Sequence, residues 1–147
     1  YQGRSVTNTE QGDVTVKKRM PKPITEAQHQ AAVIAWSEQT SVRAKWPLLK
    51  LLHHIPNGGN RDVVEGAHLK HQGVKRGVPD LCLPVARGTY HGLYIEMKTE
   101  TGETRPEQYW WIQTLNDHGY FAEVCHGWKS AVRVLEWYMG LGEYYEP

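Results

Sequence analysis

The 147-residue chain is long enough for one domain with its own hydrophobic core, and 39% apolar with 22% charged residues is the balance of a soluble globular protein. No run of about 18 apolar residues occurs, which excludes a membrane-spanning helix, and the start lacks the charged-then-apolar pattern of a secretory leader. A formal net charge of +1 neither demands nor forbids a polyanionic partner, because acidic groups at one site can cancel a basic face elsewhere.

Residues 1–23 are polar and without periodicity, and end in Met20-Pro21-Lys22-Pro23. They read as a tail, with Met20 a candidate native start, and the domain is expected over residues 24–147. Thr25 and Gln28 then form a capping box. Ala27, Ala31, Ile34 and Ala35 follow at helical spacing, predicting a helix to about Gln39 with that stripe inward. A short apolar segment, residues 48–55, ends at the turn signal Pro56-Asn57-Gly58-Gly59. Asn60 or Asp62 is placed to cap a further helix running to Gln72 and stopping at Gly73.

Two strands are predicted next, over residues 78–83 and 93–98, joined by a hairpin connection containing Gly88. Thr104 with Glu107 reads as a second capping box, with Pro106 in the first turn of a helix that turns Trp111, Ile112 and Leu115 inward and closes at Gly119. Residues 120–125 make a third strand and residues 130–139 a final amphipathic helix. This order predicts an α/β fold, a mixed sheet flanked by helices. Cys82 and Cys125 lie in apolar stretches and read as free buried thiols of a reducing, cytoplasmic setting.

The chemistry concentrates on the second strand. With period two, Tyr94, Glu96 and Lys98 share one face and Leu93, Ile95 and Met97 the other. Asp80 follows Pro79 at the start of the neighbouring strand, so pairing of the two strands sets Asp80 beside Glu96. Two carboxylates so placed repel, and a hard divalent cation relieves the repulsion. Such a site suits a phosphodiester: Mg²⁺, with Mn²⁺ as a substitute, acidifies a bound water and neutralises charge on the phosphorus oxygens. Lys98 cannot ligate a metal while protonated, but is placed to orient that water or to meet the transition state. The Met97 backbone carbonyl, between the two side chains, is a further candidate ligand. Taken alone, a Glu-x-Lys triplet on a strand is a weak signal, and many are ordinary surface pairs.

A longer series of motifs narrows the reading. Glu26 with Gln30, Ile55-Pro56-Asn57-Gly58-Gly59-Asn60-Arg61, Gly73-Val74-Lys75-Arg76-Gly77-Val78-Pro79-Asp80, Tyr94-Ile95-Glu96-Met97-Lys98, Gln108 with Trp111 and Leu115, and Gly119-Tyr120 occur in this order. From about Glu26 to Tyr138 the chain resembles the virus-type replication-repair nuclease (VRR-NUC) domain of the PD-(D/E)XK nucleases. Val74-Lys75-Arg76 departs from the Val-Arg-Arg triplet of that family without loss of charge.

The resemblance implies a restriction-endonuclease-like mixed sheet of four or five strands and Mg²⁺-dependent hydrolysis of DNA. It implies metal binding by Asp80 and Glu96, catalysis by Lys98, and a metal-facing role for Glu26, whose competing role is an anion favourable at a helix N-terminus. Gln108 is similar to the glutamine that stands near the catalytic strand. Asn57, Arg61, Lys75 and Arg76 become candidates for phosphate contact. Stand-alone members suggest a homodimer acting on four-way (Holliday) junctions or other branched DNA. The competing readings are a monomeric nickase or flap endonuclease and a catalytically silent DNA-binding module.

Other features carry less. His68 and His71 lie three apart on a predicted helix, but no cysteine or further histidine stands at zinc-site spacing. Of His53 and His54, adjacent on a strand, at most one faces the site. Tyr90 and His91 are candidates to stack on unpaired bases, with a solvated loop as the competing account. Trp36, Trp111 and Trp137 read as core. Lys17, Lys18, Arg19 and Lys22 form a basic cluster in the tail, for which a solvated surface is an equally good account.

Overall fold

The computed structural model describes residues 19–57 and 63–147. The predicted caps at Asn60 and Asp62, the candidate Arg61, the turn glycines Gly58 and Gly59, and the tail to residue 18 lie outside the described residues.

Helix α1, Glu26–Ser37, starts at the expected capping box: the Gln28 N–H donates to Thr25 Oγ1 (3.2 Å) and Gln28 Oε1 accepts from the Thr25 N–H (2.9 Å). Its inward stripe is not the alanine stripe. His29, Val33 and Ser37 are buried, while Ala27, Ala31 and Ala35 are exposed. Two polar residues can line this face because each is satisfied. Ser37 Oγ donates to the Ile34 carbonyl (2.7 Å) and His29 Nδ1 accepts from the Trp128 N–H (3.1 Å).

A short helix α2, Thr40–Lys45, and a 3₁₀ turn, Pro47–Leu51, follow. Neither was expected, since six residues are too few for a periodicity to show. Strand β1 is only His53–His54, and helix α3 is Val63–His71. The α3 helix ends as foreseen at Gly73, where φ is +102° and the Val74 N–H closes onto the Leu69 carbonyl (3.0 Å).

Strand β2, Leu81–Leu83, begins later than residue 78, because Val78 and Pro79 are irregular after the turn at Arg76–Gly77 and the chain bends at Asp80; β3 is Leu93–Lys98, as read. Helix α4, Pro106–Asp117, is capped differently from expectation: Gln108, not Glu107, turns back, its Oε1 accepting from the Arg105 N–H at 2.9 Å. Glu107 instead meets Arg76 (3.3 Å) and Arg105 (3.7 Å). Strand β4 is Phe121–His126 and helix α5 is Trp128–Met139.

The four described strands form one mixed sheet in the order β1-β2-β3-β4, with β1–β2 and β2–β3 antiparallel and β3–β4 parallel. The parallel pair needs a crossover, which α4 provides. One face carries the main core, where Leu81, Leu83, Leu93, Ile95 and Met97 pack with Val33, Leu49, Leu135 and Tyr138. Each such side chain contributes about 1.5–3 kcal/mol through burial. The Tyr138 hydroxyl donates to the Val85 carbonyl (2.6 Å), tying α5 to the β2–β3 connection. On the opposite face lie Ile112 and Ala122, buried apart from that cluster. Cys82 and Cys125 are free and buried.

Gly77 joins the basic Lys75-Arg76 segment to the approach to β2. Its φ is +84°, and a Cβ there would stand 2.7 Å from the Glu107 carbonyl oxygen at the start of α4. Gly73 shares the positive φ but has open space around it. Gly77→Ala should therefore cost roughly 2–4 kcal/mol, conformational strain plus a backbone shift, whereas Gly73→Ala should show only the strain. Chemical denaturation of the two variants checks this, and equal losses would rule out the close approach at Gly77.

Candidate active site

Period-two alternation on β3 holds in three dimensions: Leu93, Ile95 and Met97 enter the main core, while Tyr94, Glu96 and Lys98 take the other face. The antiparallel register pairs Cys82 with Tyr94 and Leu81 with Ile95. Continuing it by one residue sets Asp80 across from Glu96. Asp80 is fixed there by its Oδ2, which accepts from the Met97 N–H at 2.8 Å.

These groups open into one cleft of about 660 Å³, bordered by Glu26, Gln30, Asn57, Asp80, Glu96, Lys98 and Gln108. Ala27, exposed against expectation, also borders it. The small side of α1 thus faces the cleft, leaving room that a larger residue would fill.

Glu96 is 3% exposed and Lys98 6%. Charged side chains are almost never so buried unless paired. Lys98 Nζ lies 3.4 Å from Glu96 Oε1 and 3.5 Å from Glu26 Oε1. The neutral Gln108 amide also donates to Glu96 Oε1, at 2.6 Å. One glutamine thus starts α4 with its oxygen and holds the Glu96 carboxylate with its nitrogen.

The carboxylates are nevertheless uncomfortable. Burial, and then the neighbouring Asp80, push the Glu96 pKa up to about 7, against the opposing pull of Lys98. Burial also raises Asp80, more than the hydrogen bond from the Met97 N–H lowers it. One ammonium does not offset this concentration of buried carboxylate.

Several candidates are elsewhere. Lys75 and Arg76 are exposed and border adjoining surface grooves, not the cleft. His68 and His71 are exposed on α3. Of the histidine pair, His54 borders the cleft, with Nδ1 2.8 Å from the Asp80 carbonyl. Tyr90 packs against Phe121, Trp137 and Tyr138, and His91 against Tyr120 and Tyr144, so both rings have protein partners. Trp36 is partly buried against the core, but Trp137 is 46% exposed and Trp111 lines surface grooves. Arg105 and Glu103 also border the cleft and had not been singled out. The available signal was their position between the Glu-x-Lys strand and the Pro106 helix start.

The residues present suit a hard divalent ion. Among the described residues no three His, Cys, Asp or Glu side chains group tightly enough to hold a metal between them. Mg²⁺, however, typically takes only one or two carboxylates and keeps several waters. Asp80 and Glu96 provide that donor set, with raised proton affinities that a cation would relieve.

A mixed sheet flanked by helices, with a strand-borne Glu-x-Lys opposite an Asp, defines the class: a nuclease of the PD-(D/E)XK type. The VRR-NUC domain family model matches residues 24–129. A solved structure described as a VRR_NUC domain protein is 36% identical, with a TM-score of 0.71 over 85% of this chain and 96% of that one. No curated protein matches the chain. The chain belongs to the VRR-NUC family, and a nuclease domain of this family has DNA as its partner.

Glu96→Gln keeps the acceptor for Gln108 and removes the buried charge. Because folding raises the Glu96 pKa, the cost of its charge is absent below the ordinary carboxylate range and complete only above about 7. The metal-free variant should therefore melt roughly 3–6 °C above the parent at pH 8, as expected from about 1–2 kcal/mol in a domain of this size. The gap should close by pH 4.5. A variant less stable than its parent at pH 8 would show that Lys98 fully offsets the charge.

Proposed function

We propose that the chain is a Mg²⁺-dependent DNA endonuclease, with Mn²⁺ as a substitute ion, that acts as a homodimer on four-way junctions or other branched DNA. The observation that carries this reading is the convergence of Asp80, Glu96, Lys98 and Glu26 in one open cleft. Asp80 and Glu96 would hold the ion. A residue's N–H and C=O leave a strand on the same edge, so the Met97 carbonyl is directed to the side where its N–H meets Asp80 and can be a further ligand. When bound, the ion supplies an acidified water and a counter-charge for the scissile phosphate.

The chain's own groups do the rest. Gln108 keeps Glu96 in one rotamer from α4, and the Met97 N–H does the same for Asp80. Lys98, held between Glu96 and Glu26, directs its ammonium to the attacking water or a phosphate oxygen. Glu26 thereby acts mainly through Lys98, closing the cleft from the α1 end. Asn57, Arg61, Lys75 and Arg76 contact phosphates outside the reacting one, contributing affinity rather than sequence preference. Arg105, at the cleft edge, joins them.

In this reading the domain comprises residues 24–147; the packing of Leu135 and Tyr138, on α5 mostly past the family match, into the core supports carrying it beyond residue 129. The outer edge of β4 supports a second copy: Phe121, Val134 and Trp137 line a shallow groove beside that edge strand. A twofold dimer would present two clefts to a symmetric four-way junction.

A labelled panel of four-way, flap and linear duplex DNA tests the whole reading. Cleavage should require Mg²⁺ or Mn²⁺, favour the junction, and fall at least about 100-fold in Lys98→Ala, the loss typical of one preorganised charge-stabilising donor. Asp80→Asn should abolish cutting while leaving DNA binding intact. Linear duplex cut as fast as junctions would remove the junction preference, and a wild type inert on every form with both ions would leave a DNA-binding module.

A further inference from the structure

The outward side of α4 has an arrangement that the reaction does not use. Gln108 and Ile112 point to the sheet and are buried. Trp110 points away and is 61% exposed, a large apolar ring left in water. It is not loosely held. Its ring stands nearly perpendicular (86°) to that of Trp111, with centroids 5.8 Å apart. Trp111 is in turn anchored by its indole N–H, which donates to the Arg76 carbonyl (2.9 Å). Lys75, Arg76 and Glu107 form the rim opposite, with Arg76 and Glu107 in a surface ion pair (3.3 Å).

This groove lies in a series of neighbouring grooves that ends at the cleft. Trp110, Trp111 and Lys75 line the outer one, Trp111 and Lys75 reappear in a middle one with Asn57 and Val78, and Asn57 and Val78 border the cleft itself. Successive grooves that share Asn57 and Val78, then Lys75 and Trp111, thus lie between the cleft holding Asp80 and Glu96 and the pair of indoles. The floor of the outer groove is aromatic and its rim carries two cations, Lys75 and Arg76, against one carboxylate, Glu107, which leaves Lys75 without that counter-charge. Aromatic rings beside a net positive rim can hold a nucleic-acid strand with unpaired bases, phosphate on the cation and base face on the ring. Paired bases in a duplex have no free face to offer such a ring.

We propose that Trp110, backed by Trp111 and flanked by Lys75, is a stacking platform for an unpaired nucleotide of the DNA strand leaving the cleft. The proposal rests on the nuclease reading for its substrate and deepens it: selection of branched DNA then includes capture of an unstacked base at the branch point.

The test is binding of the full-length chain to a short oligothymidylate in the presence of EDTA, so that no cleavage intervenes. An abasic oligonucleotide of the same length and charge serves as control. Trp110→Ala should weaken oligothymidylate binding about 10-fold, in line with the loss of one stacked base. Trp110→Phe should fall between, and abasic binding should not change. Because Trp110 is exposed, both variants should fold, which circular dichroism checks.

Unchanged oligothymidylate binding by Trp110→Ala would overturn the proposal, as would an equal loss on the abasic strand. So would conversion of a dimeric parent into a monomeric Trp110→Ala protein, since a second copy would then cover this face. A parent inert on the cleavage panel but sensitive here would sink the nuclease reading and leave the platform standing.

Discussion

The burial of the Glu96 carboxylate beside Asp80 is the constraint around which the rest of this molecule is arranged. A carboxylate 3% exposed and facing a second acid is tolerated only if its surroundings supply donors. Here those are the Lys98 ammonium at 3.4 Å and the Gln108 amide at 2.6 Å. Each donor has a structural cost attached. Lys98 must end a strand whose other face is core, and Gln108 must sit in the first turn of α4, where its side-chain Oε1 is also needed by the Arg105 N–H. Moving either element disturbs the carboxylate.

This helps explain why the sheet is mixed. An antiparallel β2–β3 pair brings Asp80 opposite Glu96 and lets the Met97 N–H hold the Asp80 carboxylate. A parallel β3–β4 pair requires a crossover, and that crossover is α4, which brings Gln108 to the same face. The tight passage of Gly77 against the start of α4 connects the two halves, since the segment carrying Lys75 and Arg76 reaches Asp80 only through it. Stability and site geometry are thus set by the same contacts. The uncompensated acidity left over is the feature that a divalent cation would relieve.

Much of this was legible in the sequence. The Thr25–Gln28 capping box, the helix stop at Gly73, the β2–β3 connection and the two-residue alternation of β3 all appear where local signals put them. So does the opposition of Asp80 to Glu96, because it follows from strand pairing and a period of two. The inward face of α1 did not, since a stripe of alanines is a weak hydrophobic signal beside Val33 and two satisfied polar residues. Nor did the cap of α4: Thr104–Glu107 and Arg105–Gln108 lie one residue apart, and a contact with Glu96, distant in sequence, selects between them. Trp111 read as core from its helical spacing, yet its indole is anchored at the surface by the Arg76 carbonyl.

The sequence by itself determined the order of the longer elements, the side of β3 that carries Glu96 and Lys98, and the family to which the chain belongs. These depend on residues near one another, whose relative positions the backbone period fixes. Only the tertiary structure decided that Glu26 reaches Lys98 across 72 positions, that Gln108 serves both helix and carboxylate, that His54 rather than His53 faces the cleft, and that Trp110 stands in water beside a basic rim. Those outcomes depend on how helices pack over the sheet, and packing is set by the sum of many contacts between distant residues, which no local pattern encodes.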